Sequence, residues 1–318
     1  MTPPSDQPLR VIFAGTPAFA VPSLQALIDL PEVEVVAVYT QPDRAAGRGR
    51  QMKCPEVKQL AQAHGIPVEQ PLTWRDEATL ARIAAWRPEL LVVAAYGLIL
   101  PEAGLQIPPL GAINVHASLL PRWRGAAPIQ RAIMAGDAET GVTIMQVVRE
   151  LDAGPMLHRV TCPIDADDTA GTLEARLAHL GAEALTTALR ALRAGAAVAE
   201  PQDAAAVTYA AKITREDREI DWQRQATALA RQIRALNPAP LAHTEALGIP
   251  VNLLKAVAIP ETSDSAPGSL LAATSTGIDI ACGEGVLRIE ELQPQGKRIM
   301  SARDFVNGYG ARLGVSSA

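Results

Sequence analysis

Asn114 and His116 stand two residues apart at the end of a short apolar run, 111–115, bounded by Pro108, Pro109 and Pro121. Such a run reads as a buried strand entering a turn. Side chains two apart on a strand share a face, so an amide and an imidazole project together from its carboxyl end. In open α/β sheets ligands bind at that end. Two such donors suit a carbonyl oxygen that becomes an oxyanion. A carboxylate, Asp152, follows in the turn LDAGP at 151–155. An Asn-x-His pair is more often a satisfied turn amide and a surface histidine, so its spacing alone leaves both readings open.

Longer blocks narrow the choice. SLLPRWRGAAPIQ at 118–130, AGDAETGVTIMQ at 135–146 and LDAGPM at 151–156 together resemble the folate-dependent formyltransferases. FAGTPAFAVPSL at 13–24 and TQPDRAAGRG at 40–49 point, within that family, to the methionyl-tRNA formyltransferases. The resemblance runs from about residue 9 to about residue 305. It implies 10-formyltetrahydrofolate as co-substrate, initiator methionyl-tRNA as acceptor, no metal and no nicotinamide. It carries the catalytic role to Asn114, His116 and Asp152, all three present. It assigns the folate site to Ser118, Leu119, Leu120 and Pro121, with Ala94, Tyr96 and Gly97 as a wall of the pterin pocket. It places Arg44, Arg48 and Arg50 in a loop that meets the tRNA acceptor end, with Arg48 at the critical position, and Lys212 near a domain junction. Two departures from relatives stand out: Ala239, commonly Trp, and Ala117, often Gly. The alternative is a relative with the same core that formylates a glycinamide ribonucleotide or a sugar nucleotide, or hydrolyses the folate. A regulatory RNA-binding module with an inactive transferase domain is a rival of another class, and the intact Asn114, His116 and Asp152 speak against it.

Formyl transfer to an amine is acyl transfer with the substrate amine as nucleophile. It needs an oxyanion stabiliser, a route for protons and placement of two reactants. Asn114 offers an N–H to the formyl oxygen. His116 offers a second donor and a proton for the leaving nitrogen. Asp152 orients the imidazole, favours its charged form and can take a proton from the ammonium through water. Ser118 lacks the GxSxG elbow of a serine hydrolase. His158, Asp152 and Cys162 match no zinc spacing.

The elements that position these groups are legible from the pattern. Runs at 9–14, 32–39 and 89–95 read as strands of a parallel sheet, with a helix over 19–30. Gly15-Thr16-Pro17 is not GxGxxG, so a dinucleotide site has little support. Strands at 143–148 and 156–164 flank Asp152. A helix over 172–192 is capped by Asp168 or Thr169. The expectation is a Rossmann-like α/β catalytic domain at 1–195, an Ala-rich linker at 196–206 and a C-terminal domain at 207–318. In that last part a helix falls within 213–236, and short runs at 251–257, 268–272, 277–282 and 286–292 suit a small OB-like β-barrel. The resemblance makes this barrel a tRNA holder, and Lys297, Arg298 and Arg303 cluster near its edge.

At 318 residues there is room for two cores. The net charge of −5 argues against binding nucleic acid over the whole surface. Residues 207–318 carry 12 basic and 12 acidic side chains, so the deficit lies in 1–206, with 17 and 22. Residues 40–60 hold five basic side chains against two acidic, a local patch suited to a polyanion. No apolar run approaches a membrane span, and the start MTPPSDQPLR lacks a signal core. Three scattered cysteines fit a reducing compartment. These observations predict a cytoplasmic protein without a membrane partner; a monomer is the expectation for the enzyme that the resemblance implies.

Overall fold

The computed structural model describes residues 7–46 and 51–313. Two compact units form, and neither is continuous in sequence. The first takes Met1–Gly125, Glu139–Pro163 and Glu174–Ala210; the second takes Ala126–Ala138, Ile164–Leu173 and Ala211–Ala318.

In chain order the first unit opens with β1 (Leu9–Gly15), α1 (Val21–Asp29) and β2 (Val33–Tyr39). The hairpin β3 (Arg44–Ala46) and β4 (Gln51–Lys53) follows, then α2 (Glu56–Ala63), β5 (Val68–Glu69), α3 (Glu77–Ala85) and β6 (Leu90–Ala94). Next come α4 (Glu102–Leu105), β7 (Ala112–His116) and β8 (Arg124–Gly125). Helix α5 (Pro128–Ala135) belongs to the second unit. The first resumes with β9 (Glu139–Gln146), β10 (Met156–Pro163), most of α6 (Ala170–Arg193) and β11 (Tyr209–Ala210).

Seven of these strands make one sheet in the order β10-β9-β7-β6-β1-β2-β5. The run from β5 to β7 is parallel, as the sequence predicts; β9 is antiparallel to β7, and β10 to β9. The central strands are apolar on both faces because both faces are covered: every residue of β6 is buried. Trp74 fills one face. It is fully buried, sits edge-on to Tyr39 and Tyr96, and donates its indole N–H to the Tyr96 hydroxyl at 2.9 Å. Truncating such a residue to alanine costs about 3–5 kcal/mol.

The carboxyl ends of β1, β2 and β6 are laced together. Thr16 donates its hydroxyl to the Tyr96 carbonyl at 3.0 Å and accepts the Gln41 backbone N–H at 3.3 Å. Strand β7 ends beside them.

Residues 196–206 do not leave the first unit. Glu200 pairs with Met156 through two N–H···O bonds of 2.8 Å. Strand β11 pairs in parallel with β8, and Thr208 bonds both Trp123 and Arg124. The stretch expected as a linker is therefore held by backbone pairing, which an Ala-rich sequence without periodicity does not announce.

The second unit adds α7 (Ala226–Ala235), β12 (Ala242–Thr244), β13 (Val251–Ile259), β14 (Leu270–Ala273), β15 (Ile278–Ala281), β16 (Val286–Pro294), β17 (Met300–Ser301) and α8 (Ala302–Leu313). Its sheet is antiparallel, ordered β12-β13-β16-β15-β14, with β17 also on β16. Leu229 and Ile233 of α7, Leu253, Ile289 and Phe305 form its core. Helix α5 packs on α7.

Candidate active site

Asn114 and His116 lie on β7, where alternation turns both to one face. Asn114 is half-buried, and its side-chain amide makes no hydrogen bond among the described residues. It is thus a donor without a protein acceptor at a strand's carboxyl end. Its backbone is fixed on both sides, by Val93 of β6 and Met145 of β9.

His116 is only 5% exposed. Its Nε2 lies 2.9 Å from the Trp123 carbonyl oxygen. A carbonyl can only accept, so Nε2 carries the proton in the neutral and the charged imidazole alike. The nitrogen left available to a substrate is therefore Nδ1, and it lies 3.7 Å from Asp152 Oδ2. That gap is too long for a direct hydrogen bond. The sequence reading gave Asp152 the orienting role. The structure gives the orienting bond to the Trp123 carbonyl and leaves Nδ1 and the carboxylate facing one space.

Asp152 follows β9 in a tight loop. Its φ of 47° lies in the left-handed region, which costs a non-glycine residue about 1–3 kcal/mol unless its surroundings hold it. Two contacts do. Oδ2 accepts the Gly125 backbone N–H at 2.9 Å. Gln202 donates its amide to the carbonyls of Asp152 and Gly154, each at 2.8 Å. Gly154 is forced by packing: a Cβ there would lie 1.7 Å from the Gln146 carbonyl oxygen.

Ser118 and Leu120 are buried, and their polar groups are spent within the turn and on Thr143. The Ser118 hydroxyl donates to the Arg122 carbonyl at 2.7 Å. Thr143, opposite His116 on β9, donates to the Ser118 carbonyl at 2.7 Å and accepts the Leu120 N–H at 3.1 Å. The Leu120 side chain packs with Met145 and Met156. Leu119 and Pro121 are the half-exposed members of the segment, and Leu120-Pro121 is cis. Of the residues expected to wall the pterin pocket, Ala94 and Tyr96 are buried and Gly97 is exposed. Burial pushes the Tyr96 hydroxyl up to about 12, against a lowering by the Trp74 hydrogen bond, so the phenol stays neutral.

Arg44 is exposed and donates to the Gln41 side chain at 2.9 Å, whose amide in turn reaches the Tyr96 carbonyl at 3.3 Å. Arg48 and Arg50 lie outside the described residues. Lys212, Lys297 and Arg298 are exposed on the second unit, the last two in the turn between β16 and β17. Among the described residues no group of three or more His, Cys, Asp or Glu is placed to hold a metal.

Sequence reasoning missed three groups that set this site: the Trp123 carbonyl, the Gly125 N–H and Gln202. Backbone groups carry no residue-type signal. Gln202 lies 50 residues beyond Asp152 in an apparently featureless stretch. Its only cue was a lone amide close to a run of alanines.

Comparison with known proteins bears on what such a site does. Residues 9–189 match the family described as formyl transferase, and residues 212–310 match the formyl transferase C-terminal domain. A methionyl-tRNA formyltransferase of Methylococcus capsulatus is 52% identical over 310 residues, covering 96% of this chain and all of the relative. The crystal structure of HypX from Aquifex aeolicus in complex with tetrahydrofolic acid superposes with a TM-score of 0.63 at 19% identity, over 98% of this chain and 48% of that one. An N-formyltransferase from Helicobacter canadensis, in complex with folinic acid and dTDP-3-aminofucose, gives 0.64 at 16% identity, over 90% and 99%. At such identities the two structures speak for the fold alone.

Proposed function

The chain belongs to the formyl transferase family, in its N-terminal and C-terminal parts alike, and from that premise we propose how its residues act. The activity is transfer of a formyl group from 10-formyltetrahydrofolate to the amino group of methionyl-tRNA. The observation that carries the residue assignment is the convergence at the end of β7: an unengaged amide on Asn114, and His116 Nδ1 3.7 Å from the Asp152 carboxylate.

This donor set fits a formyl donor, because acyl transfer to an amine asks for hydrogen bonds and proton movement and not for a protein nucleophile. Bound 10-formyltetrahydrofolate supplies the activated formyl group. Asn114 donates its N–H to the formyl oxygen as negative charge builds there. His116 keeps its Nε2 proton on the Trp123 carbonyl and offers or accepts a proton at Nδ1. Asp152, held at Oδ2 by the Gly125 N–H, takes the proton that the attacking amine sheds, directly or through water. The demand on that base is small: an α-amino group with a pKa near 8 is already neutral in about a tenth of molecules at pH 7. Leu119, Pro121 and Gly97 offer the accessible surface of the folate pocket, while Ser118, Leu120, Ala94 and Tyr96 shape it from beneath.

We assign the tRNA to the basic 40–53 loop, through Arg44, Arg48 and Arg50, and to the second unit, through Lys212, Lys297 and Arg298. Initiator tRNA is the acceptor in this reading. A monomeric enzyme of the cytoplasm is part of it, supported by three free thiols. Among the described residues no helix is long and apolar enough to cross a membrane.

The test is formyl transfer from labelled 10-formyltetrahydrofolate to charged initiator tRNA, with free methionine and glycinamide ribonucleotide as competing acceptors. N-formylmethionyl-tRNA is the expected product. Formylation of the ribonucleotide in preference to the tRNA would move the chain to another branch of the family.

A further inference from the structure

We propose that Gln202 is a positioning residue for formyl transfer, acting through Asp152. This rests on the reading that Asp152 takes part in the reaction. Gln202 lies outside every helix and strand. Its amide is fully used. Nε2 donates to the Asp152 and Gly154 carbonyls, both at 2.8 Å, and Oε1 accepts Arg124 Nε at 2.9 Å. The acceptor side matters as much as the donor side. Arg124 is buried at 6% exposure and adjoins Gly125, whose N–H holds Asp152 Oδ2 at 2.9 Å. One planar amide thus clamps both segments that fix Asp152: the loop that carries its backbone and the strand that donates to its carboxylate. Arg124 also faces Glu150 at 3.7 Å, so the clamp reaches the start of the same loop.

The residue type is dictated by this pattern. Two carbonyls on one side require two N–H donors, and a guanidinium on the other requires an acceptor. Only a carboxamide presents both in one plane. A carboxylate would keep the bond to Arg124 and turn an oxygen against the two carbonyls. An apolar chain of equal length would leave three polar groups unmet. Asp152 adopts a φ of 47°, a conformation that costs a non-glycine residue free energy. Without the clamp its backbone is free to leave that conformation, and Oδ2 then departs from its 3.7 Å approach to His116 Nδ1. Neither substrate site needs to be touched for the rate to fall, because small misplacements of a reacting group cost up to about a hundredfold.

The experiment is a double-mutant cycle on the full chain, with Gln202→Met, Asp152→Asn and the pair, read as kcat, both KM values and thermal midpoint. Gln202→Met is expected to lower kcat about tenfold or more, with both KM values within about threefold. In the Asp152→Asn background the same change is expected to cost less than about twofold, because the group it positions is already gone. Gln202→Glu, which keeps the Arg124 bond, is the second variant should Gln202→Met fail to fold; the same kcat loss and the same non-additivity are expected. Normal kcat in Asp152→Asn would overturn the catalytic reading itself. A slow Asp152→Asn enzyme together with a Gln202 variant of near-normal kcat, or with losses that multiply in the pair, would overturn the positioning role and leave that reading standing. Unfolding of both Gln202 variants would also overturn it, by making the residue a structural one.

Discussion

The imidazole of His116 has one nitrogen held by a backbone carbonyl and one left open towards Asp152. Because Nε2 is held by a backbone carbonyl, the nitrogen offered to a reaction is Nδ1, 3.7 Å from Asp152. The arrangement differs from a hydrolase triad, in which the carboxylate binds one nitrogen and the nucleophile the other. In the proposed reaction the nucleophile is the substrate amine, and His116 Nδ1 lies 3.7 Å from the Asp152 carboxylate. Among the described residues the Asn114 side-chain amide has no protein partner. Asn114→Ala is therefore expected to cost roughly 3 kcal/mol of barrier, about a hundredfold in kcat, with little change in folate affinity. Steady-state kinetics with a titration of a folate analogue check this. A kcat within fivefold of normal would remove Asn114 from the mechanism.

Loops are held here by neighbouring elements, and that is where two structural predictions belong. Gly154 lies so close to the end of β9 that Gly154→Ala drives a methyl against the Gln146 carbonyl. The loop or the strand must shift. A loss of on the order of 2 kcal/mol or more is expected, with a drop in kcat, since Asp152 moves with the loop. Urea denaturation with parallel kinetics reads both, and full activity in this variant would show that the loop tolerates displacement. In the second unit, Arg131 of α5 makes two bonds, 2.7 and 2.8 Å, to Asp217, and its guanidinium holds that carboxyl below the usual carboxylate value. A depressed folded pKa means the unfolded chain binds the proton first. The pair's contribution is thus complete above the ordinary carboxylate pKa of about 4 and is lost as pH falls through the lower folded value. Arg131→Ala should cost about 2 kcal/mol at pH 7 and progressively less in acid. A deficit that stayed constant down to pH 3 would assign the effect to packing instead.

At the scale of the whole molecule, the chain crosses between its two units at 125/126, 138/139, 163/164, 173/174 and 210/211. No single cut separates them. A chain ending at Ala205 loses Thr208 and β11, which pair with 121–125, and it loses α7, on which α5 packs. Such a truncation is expected to melt below the full chain and to bind folate analogues weakly, by circular dichroism and calorimetry. A melt as cooperative and as high as that of the full chain would show that α5 needs no cover. The same scale governs tRNA. Replacing Lys297 and Arg298 by alanine should raise KM for charged tRNA and leave folate affinity unchanged. The salt dependence of tRNA binding should become shallower by about one unit for each phosphate left without its cation. An unchanged slope would take the β16–β17 turn out of the tRNA surface.

The sequence by itself determined the parallel sheet, the long helix α6 and the antiparallel C-terminal strands. Each is a local pattern: continuous apolar runs, a 3.6-residue period, short runs broken by Gly and Pro. It also determined that Asn114 and His116 share a face, because strand alternation is local too, and it supplied Asp152 by type. The ends of elements were less legible. The 213–236 segment contains a helix of only Ala226–Ala235, since 216–218 form a separate short turn, beside which the Asp217 carboxylate accepts the Thr214 backbone N–H. What only tertiary structure decided was the choice of partners. Which imidazole nitrogen is free depends on a carbonyl seven residues away. The Ser118 hydroxyl closes a turn rather than facing outward. Thr208 reaches back 85 residues to Trp123, and Gln202 reaches back 50 to Asp152. Such bonds depend on where distant segments meet, and residue type and periodicity report only whether a group is polar and which way its own element turns it.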